Sequence, residues 1–200
     1  MEGKDRQELV VIHDERLRRT TGLPGRVSER TFDQILEIDA GGACIPSLQM
    51  VFDEVATYAQ HKRSALSEFT INVELKGPGC AEPLHTFIQR QAKLPRLMFS
   101  SFDHQQLFEL RALDAHYPIA PLYDKWPSRR RTSWIETAAQ LTAVAVNLNW
   151  RLCNLERVSA ITAAGYDVNA YTVNDPEIAK RLEEMGVSGI FTDRPDLFLS

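Results

Sequence analysis

The amino-acid sequence predicts a (β/α) barrel, and three observations carry that prediction. From residue 70 onward, short apolar runs alternate with amphipathic, helix-patterned segments, the mark of parallel strands joined by helical crossovers. The strand candidates are nearly continuous apolar runs, as expected of strands covered on both faces. Neither G-x-G-x-x-G nor a P-loop follows any of them, which sets aside the doubly wound nucleotide-binding sheets that share the pattern.

The elements follow in order. "LVVI" (9–12) reads as a strand delivering His13 and Asp14 at its end. Ser47 then precedes Leu48, Val51, Phe52, Val55 and Ala59, which form one helical face behind a capping serine. "FTINVEL" (69–75) is rich in β-branched and aromatic residues and reads as a strand, as do 97–102, 119–123, 142–149, 167–173 and 188–192. Asp103 opens a helix with Leu107, Leu110 and Leu113 on one face. Asn154 opens another with Leu155, Val158 and Ile161, closing at Gly165. Asp175, with Pro176 at the first helical position, opens a third that carries Ile178, Leu182 and Met185 and ends at Gly186.

Composition bounds the partners. Two hundred residues, 44% hydrophobic, suffice for one domain with a core. A formal charge of −4 with mixed signs argues against nucleic-acid binding or a polybasic membrane arm, and Arg129, Arg130 and Arg131 read as a solvated loop. No apolar run approaches the roughly 20 residues needed to span a bilayer. The start, "MEGKDRQE", lacks the apolar core of a signal peptide. Three scattered cysteines without C-x-x-C fit free thiols in a reducing compartment, so a cytoplasmic location is expected.

Barrel chemistry gathers at the C-terminal ends of strands. Those ends carry His13 and Asp14, Glu74 and Lys76, Ser100 and Ser101, Tyr123 and Asp124, Asn149 and Trp150, Tyr171 with Asn174, and Asp193. A base, a carboxylate, a cation and aromatic walls suit a phosphate or phosphodiester better than hydride transfer. His61, His85, His104 and His116 fall in or beside helices without metal-ligand spacing and read as surface residues.

These residues resemble a known family. "VVIHDERLRRTTGLPGRV", "LEIDAGG", "IPSLQMVFDEV", "NVELKG", "FSSFDH", "LYDKW", "YTVNDPE" and "GVSGIFTDRPDL" are similar, in order and spacing, to a glycerophosphodiester phosphodiesterase domain of the cytoplasmic type. The resemblance implies a TIM-type (β/α)8 barrel of the phospholipase-C-like phosphodiesterase kind. It also implies metal-dependent hydrolysis of glycerophosphodiesters to sn-glycerol 3-phosphate and an alcohol, in glycerophospholipid catabolism. The metal would be Mg²⁺ or Ca²⁺, with Glu74 as a ligand. His13 would act as general acid–base, Lys76 as a charge toward the phosphate, and Trp150 and Tyr171 as walls of the alcohol pocket. Arg19, Thr20 and Asp193 would brace loops.

The family opens with a His-Arg-Gly strand and a Glu-x-Asp strand upstream of the histidine that corresponds to His13. Neither is found here, so the expectation is one domain incomplete at its N-terminus, with about six of eight barrel strands. On that view "LVVI" is the return arm of a hairpin, activity is weak or lost, and the open edge favours self-association. The alternative expectation is a non-catalytic truncated barrel with a residual phosphate-binding pocket.

Overall fold

The computed structural model describes residues 8–62, 66, 70–127 and 133–198; the Arg129–Arg131 cluster lies outside them. The chain divides into two units. The first comprises the residues up to Ile71 with Leu75–Leu97, and the second comprises Asn72–Glu74 with Met98 onward.

The first unit is helical, with α1 (Arg18–Thr21), α2 (Phe32–Leu36), α3 (Leu48–Lys62) and α4 (Ala81–Gln89). Ser47 Oγ accepts the Met50 N–H at 3.1 Å, and α3 buries Leu48, Phe52 and Ala59, the face its spacing predicts. The Phe52 and Phe87 rings meet edge-on at 5.4 Å and tie α3 to α4. Leu17, Ile35, Ile38 and Ile45 form a small core with Val10 and Ile12 against it.

The segment 9–12 is not the strand its composition suggested. It makes one isolated antiparallel bridge, Val10 to Ser47. The Val11 N–H donates to the Pro46 carbonyl and the Leu48 N–H to the Leu9 carbonyl, each at 2.8 Å. Its backbone is thus tied to the run that enters α3, and Val11 stays 43% exposed.

The second unit is built on a sheet of β1 (Thr70–Glu74), β2 (Arg96–Ser101), β3 (Ile119–Tyr123), β4 (Ala145–Asn149), β5 (Asp167–Tyr171) and β6 (Gly189–Ile190), in that spatial order. To it this unit contributes Asn72–Glu74 of β1 and Met98–Ser101 of β2. The pairs from β2 to β6 are all parallel. The crossovers carry α5 (His104–Leu113), α6 (Trp134–Gln140), α7 (Leu155–Ala163) and α8 (Pro176–Glu184). Sequential order with parallel neighbours and helical crossovers is the arrangement of a (β/α) barrel, as predicted. Asp103, Asn154 and Asp175 cap their helices through side-chain oxygens, also as read from the sequence. Ser133 and Glu136 form a capping box at the start of α6. Residues 142–144, expected in β4, instead leave α6 through a turn with Thr142 at φ 47°.

The strands have two unlike faces. Tyr123, Val146, Leu148 and Val168 pack with Ala138 of α6 and with Val158 and Ile161 of α7. Alternation along a strand then sends Asn147, Asn149, Asn169 and Tyr171 to the opposite face. Each fully buried Leu or Val on the helix side contributes about 1.5–3 kcal/mol.

Arg111 of α5 joins the connections at the other end of the strands. Its Nε donates to Leu141 O at 2.7 Å, Nη1 to Ala115 O at 2.5 Å and Asp114 O at 3.3 Å, and Nη2 to Tyr117 O at 2.6 Å and Thr142 O at 3.3 Å. One guanidinium thereby saturates carbonyls from the turns before β3 and β4. Replacing it with methionine keeps much of the stem and leaves those carbonyls without the cation. Arg111→Met should lower stability by about 2–4 kcal/mol. Urea unfolding followed by circular dichroism checks this, and an unshifted midpoint would exclude the clamp.

Candidate active site

In the second unit the strand ends assemble a polar group. Glu74 is the last residue of β1, Asp124 follows β3, and Asn149 and Tyr171, paired in register, end β4 and β5. Asn149 Nδ2 donates to Asp124 Oδ1 at 3.2 Å, while Asn149 Oδ1 accepts the Arg151 N–H at 3.1 Å. Burial, then the carboxylates of Asp124 and Glu74, push the Tyr171 phenol well above its ordinary value. Glu74 and Tyr171, both expected in the site, therefore stand in one electrostatic neighbourhood, and Asp124 belongs with them. Phe102, half-exposed, meets the Tyr171 ring edge-on at 5.7 Å. Nothing in the sequence singled it out beyond its place at the end of an apolar run.

Below this mouth Asn169 Nδ2 donates to Asn147 Oδ1 at 2.9 Å. A Cβ on Gly189 of β6 would lie 2.7 Å from Asn169 Oδ1, so glycine is what lets the amide pair fit. Beside it, Asn174 donates to Asp193 Oδ2 at 3.0 Å and accepts from Thr192 Oγ1 at 3.0 Å and the Asp193 N–H at 2.9 Å. Asp193 is thus a loop brace. Trp150 packs on the cluster of Ala170, Val173 and Leu182, with the Arg151 guanidinium 4.6 Å from its ring centroid. His104 is not a plain surface residue: its Nε2 donates to Leu122 O at 3.0 Å, and its ring stands edge-on to Tyr123 at 4.9 Å.

In the first unit His13 Nδ1 lies 2.6 Å from Asp14 Oδ1. Arg19 of α1 binds the same carboxylate twice, through Nε to Oδ2 and through Nη2 to Oδ1, the latter at 3.0 Å. Arg19, then His13, hold the Asp14 carboxyl well below the usual carboxylate range. The His13 side chain is 73% exposed. It lines an open cavity of about 650 Å³ with Asp14, Glu15, Arg16, Arg18 and Arg19. Local packing fixes this segment: Leu17 is fully buried, and its N–H donates to Gly25 O at 3.2 Å. Glu15 is ion-paired with Arg26. Lys76 is exposed and lies two residues beyond the end of β1.

Among the described residues no three His, Cys, Asp or Glu side chains come together to hold a metal ion. Mg²⁺ takes one or two protein carboxylates and fills its shell with water and substrate oxygens, whereas Ca²⁺ draws more ligands from the protein. Among the described residues Glu74, with Asp124 in the same neighbourhood, is a partial ligand set short of a three-residue cluster. None of the three cysteines forms a disulfide. Burial raises the Cys80 thiol and pushes Cys153 up to about 11, so neither is an activated nucleophile. No helix among the described residues is long and apolar enough to cross a membrane.

The raised Tyr171 phenol has a consequence for stability. In the unfolded chain a tyrosine loses its proton near pH 10. In the folded chain Tyr171 holds it to higher pH, so the folded state binds more protons there, and stability falls as pH rises past about 10. Thermal unfolding between pH 8 and 11 should show this decline, and Tyr171→Phe should flatten it. An equal decline in the variant would remove Tyr171 as its source.

A profile of the glycerophosphoryl diester phosphodiesterase family matches residues 4–197. A glycerophosphodiester phosphodiesterase of Bacillus altitudinis is 31% identical over 94% of this chain and 78% of its own length. One from Bacillus subtilis is 28% identical over 96% of this chain and 71% of its own length. The solved structure of an Oleispira antarctica phosphodiesterase in complex with its product sn-glycerol-3-phosphate superposes with a TM-score of 0.80. It is 27% identical, over 94% of this chain and 76% of that one. A Thermotoga maritima glycerophosphodiester phosphodiesterase, 23% identical with a TM-score of 0.73 over 96% of this chain and 78% of its own, shares the fold. By the extent of the profile match and by these relatives, the chain belongs to the glycerophosphoryl diester phosphodiesterase family.

Proposed function

We propose that this chain hydrolyses glycerophosphodiesters to sn-glycerol 3-phosphate and an alcohol. The reading is carried by the strand-end group of Glu74, Asp124 and Tyr171 in a chain of this family. A phosphodiester is anionic, so its cleavage needs positive charge at the phosphate and a group that moves protons to and from oxygen. His13 is the proton carrier and Lys76 the charge. Tyr171 and Phe102 offer apolar surface to the glycerol or alcohol part, with Trp150 packed behind the mouth.

A Mg²⁺ or Ca²⁺ ion at Glu74 would add charge neutralisation when bound. The described residues offer it too few ligands for tight binding, so slow turnover is expected. Glycerophospholipid catabolism in the cytoplasm is the setting this activity fits. The outer strands of the sheet among the described residues are β1 and β6. Edge strands favour self-association where nothing covers them, which sedimentation velocity would measure.

A second reading, a non-catalytic phosphate-binding pocket, is favoured by the lack of a three-ligand cluster among the described residues. Choline release from glycerophosphocholine, with Mg²⁺ or Ca²⁺ added, separates the two. The expected result is slow release that falls by about 10²-fold or more, to background, in His13→Ala. Glu74→Gln should likewise bring it to background. Wild-type release no faster than that of His13→Ala would sink the hydrolase reading in favour of the second. Fast, metal-dependent turnover would show instead that the ligand set is complete.

A further inference from the structure

We infer that Asp14, anchored by Arg19, is a positioning residue for His13. It holds the imidazole in the tautomer with the proton on Nδ1 and leaves Nε2 as the proton-accepting atom. The use of that atom in turnover rests on the hydrolase reading; the tautomer does not.

The argument starts from a 2.6 Å contact between His13 Nδ1 and Asp14 Oδ1, which is stable only with a proton between them. Two lone pairs at that distance would repel. Arg19 decides which side owns the proton. Its two N–H groups keep the Asp14 carboxyl ionised, so the carboxylate only accepts and Nδ1 must donate. Arg19 Nη2 also comes within 3.4 Å of His13 Nδ1. That contact would need a lone pair on Nδ1; at 3.4 Å it is much the longer of the two, and the 2.6 Å contact to the carboxylate decides in favour of a proton on Nδ1. A neutral imidazole carries one N–H, so Nε2 presents its lone pair. Free histidine side chains in water favour the opposite tautomer, so the selection is the work of this cluster.

The other charges nearby do not compete for the role. Glu15 is engaged by Arg26, and Arg16 and Arg18, which line the same cavity, are cations that cannot accept from Nδ1. Exposed ion pairs add little to stability. The arrangement therefore matters for ring orientation rather than for holding the fold. Arg19 lies in α1, which starts from the fully buried Leu17, so its backbone is placed beside Asp14 by local packing. An acid–base histidine oriented by a carboxylate on its far nitrogen is a recurrent solution to proton transfer.

The test is long-range ¹H–¹⁵N correlation NMR on the full chain labelled at histidine, with the His13 signals assigned by their loss in His13→Gln. At a pH where His13 is neutral, the wild type should show protonated Nδ1 and unprotonated Nε2, and Asp14→Asn should move the ring toward the opposite tautomer. In glycerophosphocholine turnover, Asp14→Asn should lower kcat roughly 10–100-fold and leave KM within about twofold, as for loss of a correctly held proton carrier. Protonated Nε2 in the wild type, or an unchanged tautomer in Asp14→Asn, overturns the inference. So does a correct tautomer shift with kcat unchanged in an active wild type. An inactive wild type counts against the hydrolase reading alone, because the NMR result stands without turnover.

Discussion

The second unit depends on the two-residue period of a strand whose neighbours are all parallel. Val146 and Leu148 must reach α7 to be buried, and that commitment turns Asn147 and Asn149 the other way. The same parity, carried by the register into β5, places Asn169 and Tyr171 on that face. Apolar packing on one side thus dictates where polar side chains can converge on the other. The group of Glu74, Asp124 and Tyr171 sits where the strands end and backbone pairing no longer confines the side chains.

The two ends of the sheet solve different problems. Around the turns before β3 and β4, Arg111 satisfies carbonyls of two connections at once and leaves little freedom. At the end that carries Glu74, neutral amides bind carboxylates instead, Asn149 to Asp124 and Asn174 to Asp193. An amide pair, Asn147 with Asn169, lies between, and the glycine at 189 makes room for it. The division suits a barrel enzyme, in which side chains at the C-terminal strand ends carry the chemistry and the opposite end serves stability.

The His13 segment obeys a different rule. Its geometry comes from residues within six positions of one another, locked by a buried leucine and a short helical turn. The cluster is assembled by local sequence, without the period of a sheet. That separates it in kind from the strand-end group, whose members come from four strands or the loops just beyond them.

Much was legible in the sequence because it is written in short-range chemistry. The caps Asp103, Asn154 and Asp175, the α3 face and the strand at 119–123 depend on neighbours a few residues away, and so do His13 and Asp14 as a pair. What local pattern could not decide was which partner a segment would take. "LVVI" has a strand's composition, but its backbone is bonded to 46–48, and an apolar run does not encode its pairing. His104 looked like a surface residue until β3 offered it the Leu122 carbonyl. Phe102 joined the candidate site, Asp124 was tied into it through Asn149, and Arg19 became the anchor of Asp14, only through contacts made in the folded chain. Sequence by itself determined the order of elements, their capped ends and the residue types available for phosphodiester chemistry. Tertiary structure decided which of those residues meet, because strand register and side-chain reach are settled only when the faces pack.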